Sequence, residues 1–321
     1  LLIVSCTALL VSCAPASPEI ETGLESERMV SDHTERDSAH PHAYIQGALL
    51  GTKFRSLEDL KTVLKVEYEA SRLFDQKQVT ITHASAGTEV TTILETGIDQ
   101  NDFRSARDGG FWDRVSLAVR SPYTLMNRDD LVRVYYLSRR IDRIFGEDDV
   151  AFFDIAQTMM FNIPAEDLAA MPTRDTTEKG YINTFNHINA QAFMTSVMSE
   201  DLADFIADVH ERLFPELITG QFSEEQLADL DEGPVDNYVD MINNEWGQEL
   251  GKKLKDKYGI TRNTEWTPEL LTQYLNDLQE YYEWALQIEM KPYKPNDALM
   301  IKYATKINKI MGDVDALDPN L

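Results

Sequence analysis

Cysteine is nearly absent: the chain of 321 residues has only Cys6 and Cys13, both within its first thirteen positions. No disulfide can staple the body, so the fold must rest on a buried core, which this length allows. Basic residues are also scarce. Thirty Lys and Arg face 55 Asp and Glu, for a formal net charge of −25. Binding to nucleic acid runs on cationic contacts to phosphate, so this balance argues against a nucleic-acid partner and leaves a basic protein or cations as the complementary class. Beyond the first thirteen residues there is no apolar run long enough to span a bilayer. Phosphate loop, CxxC pair, dinucleotide fingerprint and internal repeat are all missing, and Asp229-Leu-Asp231-Glu-Gly233 places its glycine one position too early for a calcium loop.

What is there begins with an uncharged apolar stretch, Leu1 to Cys13, too short to cross a membrane and ending in small residues, which reads as an export signal over 1–12. Leu10-Val11-Ser12-Cys13 resembles the lipobox of bacterial lipoproteins. The resemblance implies cleavage before Cys13, acylation of that cysteine, and a membrane partner reached through the lipid anchor. Ala14 follows where Asp would signal retention, which by the same resemblance favours the outer membrane. From 13 to 42 the sequence is rich in Pro, Ser, Glu and Asp, too polar to bury a core, and reads as a disordered tether. His33, His40 and His42 are scattered through it and read as solvated.

Helical periodicity recurs from Leu57 to Met311, predicting a mainly α, multi-helix, bundle-like body with at most one small β-hairpin. The turn-rich link Met171 to Thr177 divides the body into an N-terminal region, 43–172, and a C-terminal region, 173–321. Ser56-Leu57-Glu58-Asp59 opens a helix expected to run toward Phe74. Val79 to His83 and Glu89 to Leu94 are β-branched and could pair as the hairpin. Ser85, between His83 and Gly87, superficially looks like a hydrolase nucleophile elbow, but its first glycine and partner acid are missing. Arg133, Arg139, Arg140 and Arg143 form a basic strip expected to pair with the acidic remainder. Thr267-Pro268-Glu269 starts a helix whose stripe, Leu271, Tyr274, Leu278, Tyr281, Ala285 and Ile288, reads as core.

Chemistry-bearing residues concentrate between Tyr181 and Lys257. One helix carries Asn183, Asn186 and His187; a second ends in His210-Glu211; a third presents Asp240, Asn243, Asn244, Gly247 and Gly251 at i, i+3, i+4, i+7 and i+11. Asn and Gly are poor helix formers, so keeping them there requires a packing or ligand constraint. His187, His210 and Asp240 are candidate ligands for a divalent metal such as zinc, with Glu211 as a catalytic base and Asn244 as an orienting catalytic group. A helical bundle can bring such groups together. The order Asn183-x-x-Asn186-His187, His210-Glu211, Asp240-x-x-Asn243-Asn244-x-x-Gly247 resembles an uncharacterised helical domain of bacterial exported and toxin-like proteins, over about residues 178 to 255. Ile188-Asn189 and Gln248 depart from that pattern, and the resemblance brings no chemistry with it. Two functional classes follow: a cell-envelope lipoprotein acting as a metal-assisted hydrolase, or a non-catalytic module whose polar residues fix helix register and whose acidic surface meets a basic partner. Between Glu200 and Glu249, 15 acids accompany one base, Arg212.

Overall fold

A computed structural model describes residues 47–70, 77–312, 314 and 317. The expected signal, Cys13, the tether and its three histidines lie outside the described residues. The body is mainly helical with one small antiparallel sheet. In chain order come α1 (Leu57–Leu60), β1 (Lys65–Ala70), β2 (Lys77–Ser85), β3 (Thr88–Glu95), α2 (Gln100–Asp108), α3 (Phe111–Arg120), α4 (Pro122–Met126), α5 (Arg128–Leu137) and α6 (Asp142–Phe145). There follow α7 (Phe152–Asn162), α8 (Ala165–Ala170), α9 (Asn183–Val197), α10 (Glu200–Glu211), α11 (Pro215–Thr219), α12 (Glu224–Ala228), α13 (Pro234–Tyr258), α14 (Pro268–Leu286) and α15 (Ala298–Met311). No helix among the described residues is long and apolar enough to cross a membrane.

The sheet, ordered β1-β2-β3, is the expected hairpin plus one strand. Ser56 caps α1 by accepting from the Asp59 amide, but α1 stops after one turn, short of the helix its spacing predicts. The reason is strand pairing: Leu64 to Glu69 alternates apolar and charged residues, and pairing of Val66 with Ile81 and Tyr68 with Val79 completes the backbone bonds a strand needs. Ala86 (φ 49°) and Gly87 (φ 79°) turn β2 into β3. Two consecutive positive φ values are the backbone of a tight hairpin, so Ser85 sits at a strand end and not on a strand-turn-helix elbow. His83 is buried and accepts from Trp246 Nε1 at Nδ1 (3.0 Å), which gives it a packing role.

Two cores meet on α13. The larger gathers α5, α7, α9, α14 and α15 around Phe185, Phe193, Trp266, Tyr274, Tyr282 and Tyr303. Phe185 and Tyr282 lie 4.4 Å apart between centroids and Phe193 and Trp266 5.1 Å. The smaller joins the inner sheet face, Val79, Ile81, Val90 and Leu94, to Tyr238, Ile242 and Trp246 of α13. Lying between both, α13 is buried on nearly every side from Pro234 to Gly251, including six polar residues: Asp236, Asn237, Asp240, Asn243, Asn244 and Gln248. Burial of so many polar groups is tolerable only if partners meet them.

The Met171–Thr177 link is tied down rather than loose. Asp175, 1% exposed, accepts from Thr52 Oγ1 (2.6 Å) and pairs with Lys53, while Arg174 reaches the Leu230 carbonyl (2.8 Å) and Asp231 (2.8 Å). Residues on both sides of it share the larger core. Immediately after, Gly180 breaks a single π turn, Glu178–Ile182, into α9; a Cβ there would stand 2.0 Å from the Asp175 carbonyl oxygen. This close approach aims Lys179 and Asn183 toward α13.

Candidate functional site: a buried His, Asp and Glu cluster

Helices α9 and α13 approach closely because two glycines face α9. A Cβ on Gly247 would lie 2.8 Å from the Ile188 carbonyl, and one on Gly251 2.5 Å from that of Ala192. Ser196 Oγ donates to the Gly251 carbonyl across the same seam (2.8 Å). One and two turns N-terminal to Gly247, the same seam brings His187 of α9 against Asp240 and Asn244 of α13. His187 Nε2 is 3.2 Å from Asp240 Oδ2, and Nδ1 is 3.0 Å from Asn244 Oδ1. Asn183, one turn before His187, donates to Asp240 Oδ1 (2.9 Å) and more weakly to Asp236 Oδ1 (3.4 Å), while Asp236 Oδ2 accepts from Lys179 Nζ (3.4 Å).

Both imidazole nitrogens of His187 thus face acceptors, the geometry of an imidazolium donating twice. Burial works against its charge, but the Asp240 carboxylate, the hydrogen bonds to Asp240 and Asn244, and the Glu211 carboxyl outweigh it and lift the pKa to about 9. Its side chain keeps 18% exposure against 9% for Asp240, so the histidine is the more exposed member of the pair.

α10 supplies the other half. Ser199 caps its start by accepting from the Leu202 amide, and its apolar row, Leu202, Ile206 and Val209, is buried, which turns the helix end carrying His210-Glu211 inward. Glu211 is 2% exposed, and its Oε2 is a buried atom without a hydrogen-bond partner. Burial first, and the Asp240 carboxylate second, raise its pKa well above the ordinary value, which favours its neutral form. His210 is shifted the other way, down to about 4, by burial and by the charge on His187, and its Nδ1 is likewise buried without a partner. The two imidazoles are therefore shifted in opposite directions, one toward its charged and the other toward its neutral form.

Among the described residues, no group of three or more His, Cys, Asp and Glu side chains is placed to hold a metal ion. His187 and Asp240, two of the three expected ligands, are bonded to each other and to Asn244 and Asn183, while the third, His210, has its Nδ1 without a partner. Of the five residues singled out from sequence, His187, Asp240 and Asn244 are in direct contact, and His210 and Glu211 join them through the electrostatic field they share. Sequence reading left out Asp236 and Lys179. The signal for Asp236 was there, since it stands four residues before Asp240 on one helix face; Lys179 arrives through the Gly180 kink, which no periodicity announces.

The remaining polar residues of α13 do a different job. Asn243, fully buried, accepts from the Leu49 amide (2.8 Å) and donates to the Leu49 carbonyl (2.9 Å), while Asn237 Nδ2 donates to the Gly233 carbonyl (2.8 Å). Asn243 thereby fixes the chain before α1 onto α13, and Asn237 closes the first turn of α13 itself. Outside the cluster, Asp204 and Asp208 of α10 and Glu245 of α13 form a second acidic group; burial raises all three, Asp208 to about 7 and Glu245 to about 8, with Arg212 offsetting part of the effect at Asp208 (2.6 Å). The basic strip is largely paired: Arg133 with Asp130 (2.7 Å) and Arg140 with Asp154 (3.0 Å). No protein-family model matches the chain, and no curated protein or solved structure matches it either.

Proposed function

We propose that this chain is a cell-envelope lipoprotein, anchored through Cys13, whose buried His187, His210, Glu211 and Asp240 cluster is an acid–base hydrolytic centre. The observation that carries the reading is the pair of buried, unpartnered atoms, His210 Nδ1 and Glu211 Oε2, beside a fully bonded His187–Asp240 pair. Each such orphan costs roughly 1–3 kcal/mol, a cost a register-fixing core avoids, as Asn243 does, and that functional sites retain. In this proposal the His187 imidazolium, held by Asp240 and Asn244, stabilises negative charge developing on a substrate oxygen. Protonated Glu211 gives its proton to the leaving group, a role opposite to the base suggested by sequence. Neutral His210 accepts the proton of the attacking water at Nδ1. The partly exposed edge of His187 is the side from which substrate approaches.

A divalent ion such as zinc is the second reading, favoured by the same two orphans: an imidazole nitrogen and a carboxyl oxygen without partners are the groups a cation would recruit. Purified protein assayed against chromogenic acyl and phosphoryl esters, with elemental analysis in parallel, tests both. Turnover lost in His210→Ala and in Glu211→Gln, with the fold intact by circular dichroism, supports the centre. A wild-type chain that turns over neither ester class, with or without added zinc, removes the hydrolytic reading and leaves the non-catalytic module with its acidic surface.

A further inference from the structure

Helix α3 is amphipathic in the wrong direction for a helix that only packs inward. Leu117 is its one buried residue. Phe111, Trp112, Val115 and Val119 recur at i, i+1, i+4 and i+8, which places them on one face opposite Leu117. Phe111 is 54% exposed, Trp112 77% and Val119 74%, and the two aromatic rings touch edge to face at 5.2 Å. The next helix, α4, exposes Leu125 (53%) and Met126 (76%). Five of the eleven exposed large apolar side chains of the described residues therefore lie within sixteen consecutive positions. Scattered exposed apolar residues need no explanation, but a contiguous run on one helix face does.

The stretch of sequence that carries this face is basic, unlike the chain as a whole. From Arg104 to Arg143 there are nine arginines and five aspartates, in a protein whose net charge is −25. Arg114 and Arg120 flank the apolar stripe of α3 on its two sides, as their helical spacing requires. Arg120 pairs with Asp102, Arg107 with Asp108 and Arg128 with Asp129. These pairs lie at or near the surface, where an ion pair is worth little and an arginine can exchange its carboxylate for a phosphate.

We infer that the α3–α4 face is a peripheral docking surface for an anionic lipid bilayer. Its aromatic and aliphatic side chains enter the headgroup boundary while the flanking arginines meet lipid phosphates. Trp and Phe at the tip, a short amphipathic helix and a basic rim are the combination interfacial helices use. A protein partner would need its own acidic rim, and a second copy would bring its arginines against these arginines. The inference does not depend on acylation of Cys13 or on the hydrolytic reading, since it rests on a surface remote in sequence from both.

The test is vesicle co-sedimentation with a chain beginning at Ala14, which keeps every described residue and lacks both the apolar leader and the acyl site. Phosphatidylcholine vesicles with and without phosphatidylglycerol are compared, and Trp112→Ser/Met126→Ser is measured beside the parent. Expected is binding to the anionic vesicles that weakens as salt is raised, with a blue shift of tryptophan emission, and a loss of roughly tenfold or more in the variant. Both substituted side chains are exposed, so an unchanged circular dichroism spectrum verifies the fold. No binding to anionic vesicles overturns the inference, and so does binding that the variant leaves unchanged. Self-association in solution that the variant disperses, without vesicle binding, would make the face a contact between copies instead.

Discussion

His187 Nε2 stands 3.2 Å from Asp240 Oδ2, while Nδ1 of the same ring lies 3.0 Å from Asn244 Oδ1. One histidine is therefore clamped by two residues one turn apart on a neighbouring helix, and its charge becomes part of the fold. The raised pKa of about 9 against an unfolded value of 6.5 means that folded protein binds a proton that unfolded protein releases between those values. The stabilisation is fully present below pH 6.5 and is lost as pH rises through about 9. Asp208 and Glu245, raised to about 7 and 8 by burial, act in the same direction, because their folded forms hold protons that the unfolded chain has already lost. Melting temperature is expected to fall steadily from pH 6.5 to 9. In His187→Gln the decline over this window should be shallower, because on the order of 3 kcal/mol of linkage is removed. An unaltered slope in the variant would show that His187 is not the titrating group.

Glu211 gives the opposite kind of prediction. Its carboxyl is buried and without a partner at Oε2, and burial favours its neutral form, so an apolar replacement of similar size relieves a cost instead of breaking a bond. Glu211→Met is expected to stabilise the protein by about 1–3 kcal/mol while abolishing any turnover, measured by urea denaturation and by the ester assay. Destabilisation would mean that the carboxyl is satisfied in the folded protein.

Asn243 is the contrasting asparagine. Removing it strands the amide and one of the bonds to the carbonyl of buried Leu49. Asn243→Ala should cost about 2–4 kcal/mol in urea denaturation. A loss below about 1 kcal/mol would show that the segment around Leu49 is held by the neighbouring packing alone.

Gly251→Ala tests the seam that brings the cluster together. Its new methyl meets the Ala192 carbonyl and Thr195 of α9, so the helices must separate. Overpacking of this kind costs roughly 1–3 kcal/mol. The same displacement should lower the pKa of His187, read by histidine NMR titration, as Asp240 moves away; a drop in stability with the titration unmoved would place the strain elsewhere.

For the address, Cys13→Ala should leave the chain in the soluble or unprocessed fraction while the parent sediments with membranes. Membrane fractionation of cells expressing each form makes the comparison. Equal retention, with both forms processed alike, would dismiss acylation as the anchor.

Much of this was legible in the chain before folding. The 3.6-residue spacing of Leu271, Tyr274 and Leu278, with Thr267 as cap and Pro268 in the first turn, specified α14, because cap chemistry and an apolar stripe are local properties. Gly247 and Gly251 announced a close helix contact, since few other demands keep two glycines in a helix interior. The polar face of α13 and the histidines of α9 and α10 likewise marked where chemistry could lie. Tertiary structure decided the rest. Leu57 to Ala70 carries both helical and alternating spacing, and only the edge offered by β2 selected a strand after the first turn. Whether an asparagine acts in a site or in a register lock depends on what stands opposite: Asn243 meets the backbone of Leu49 and Asn244 meets an imidazole, although the two are adjacent in sequence. Protonation was decided there as well. His187 and His210 are the same residue type 23 positions apart; Asp240 makes one a cation, and burial beside that cation keeps the other neutral, because charge in a low-dielectric interior answers to three-dimensional neighbours that no sequence window contains.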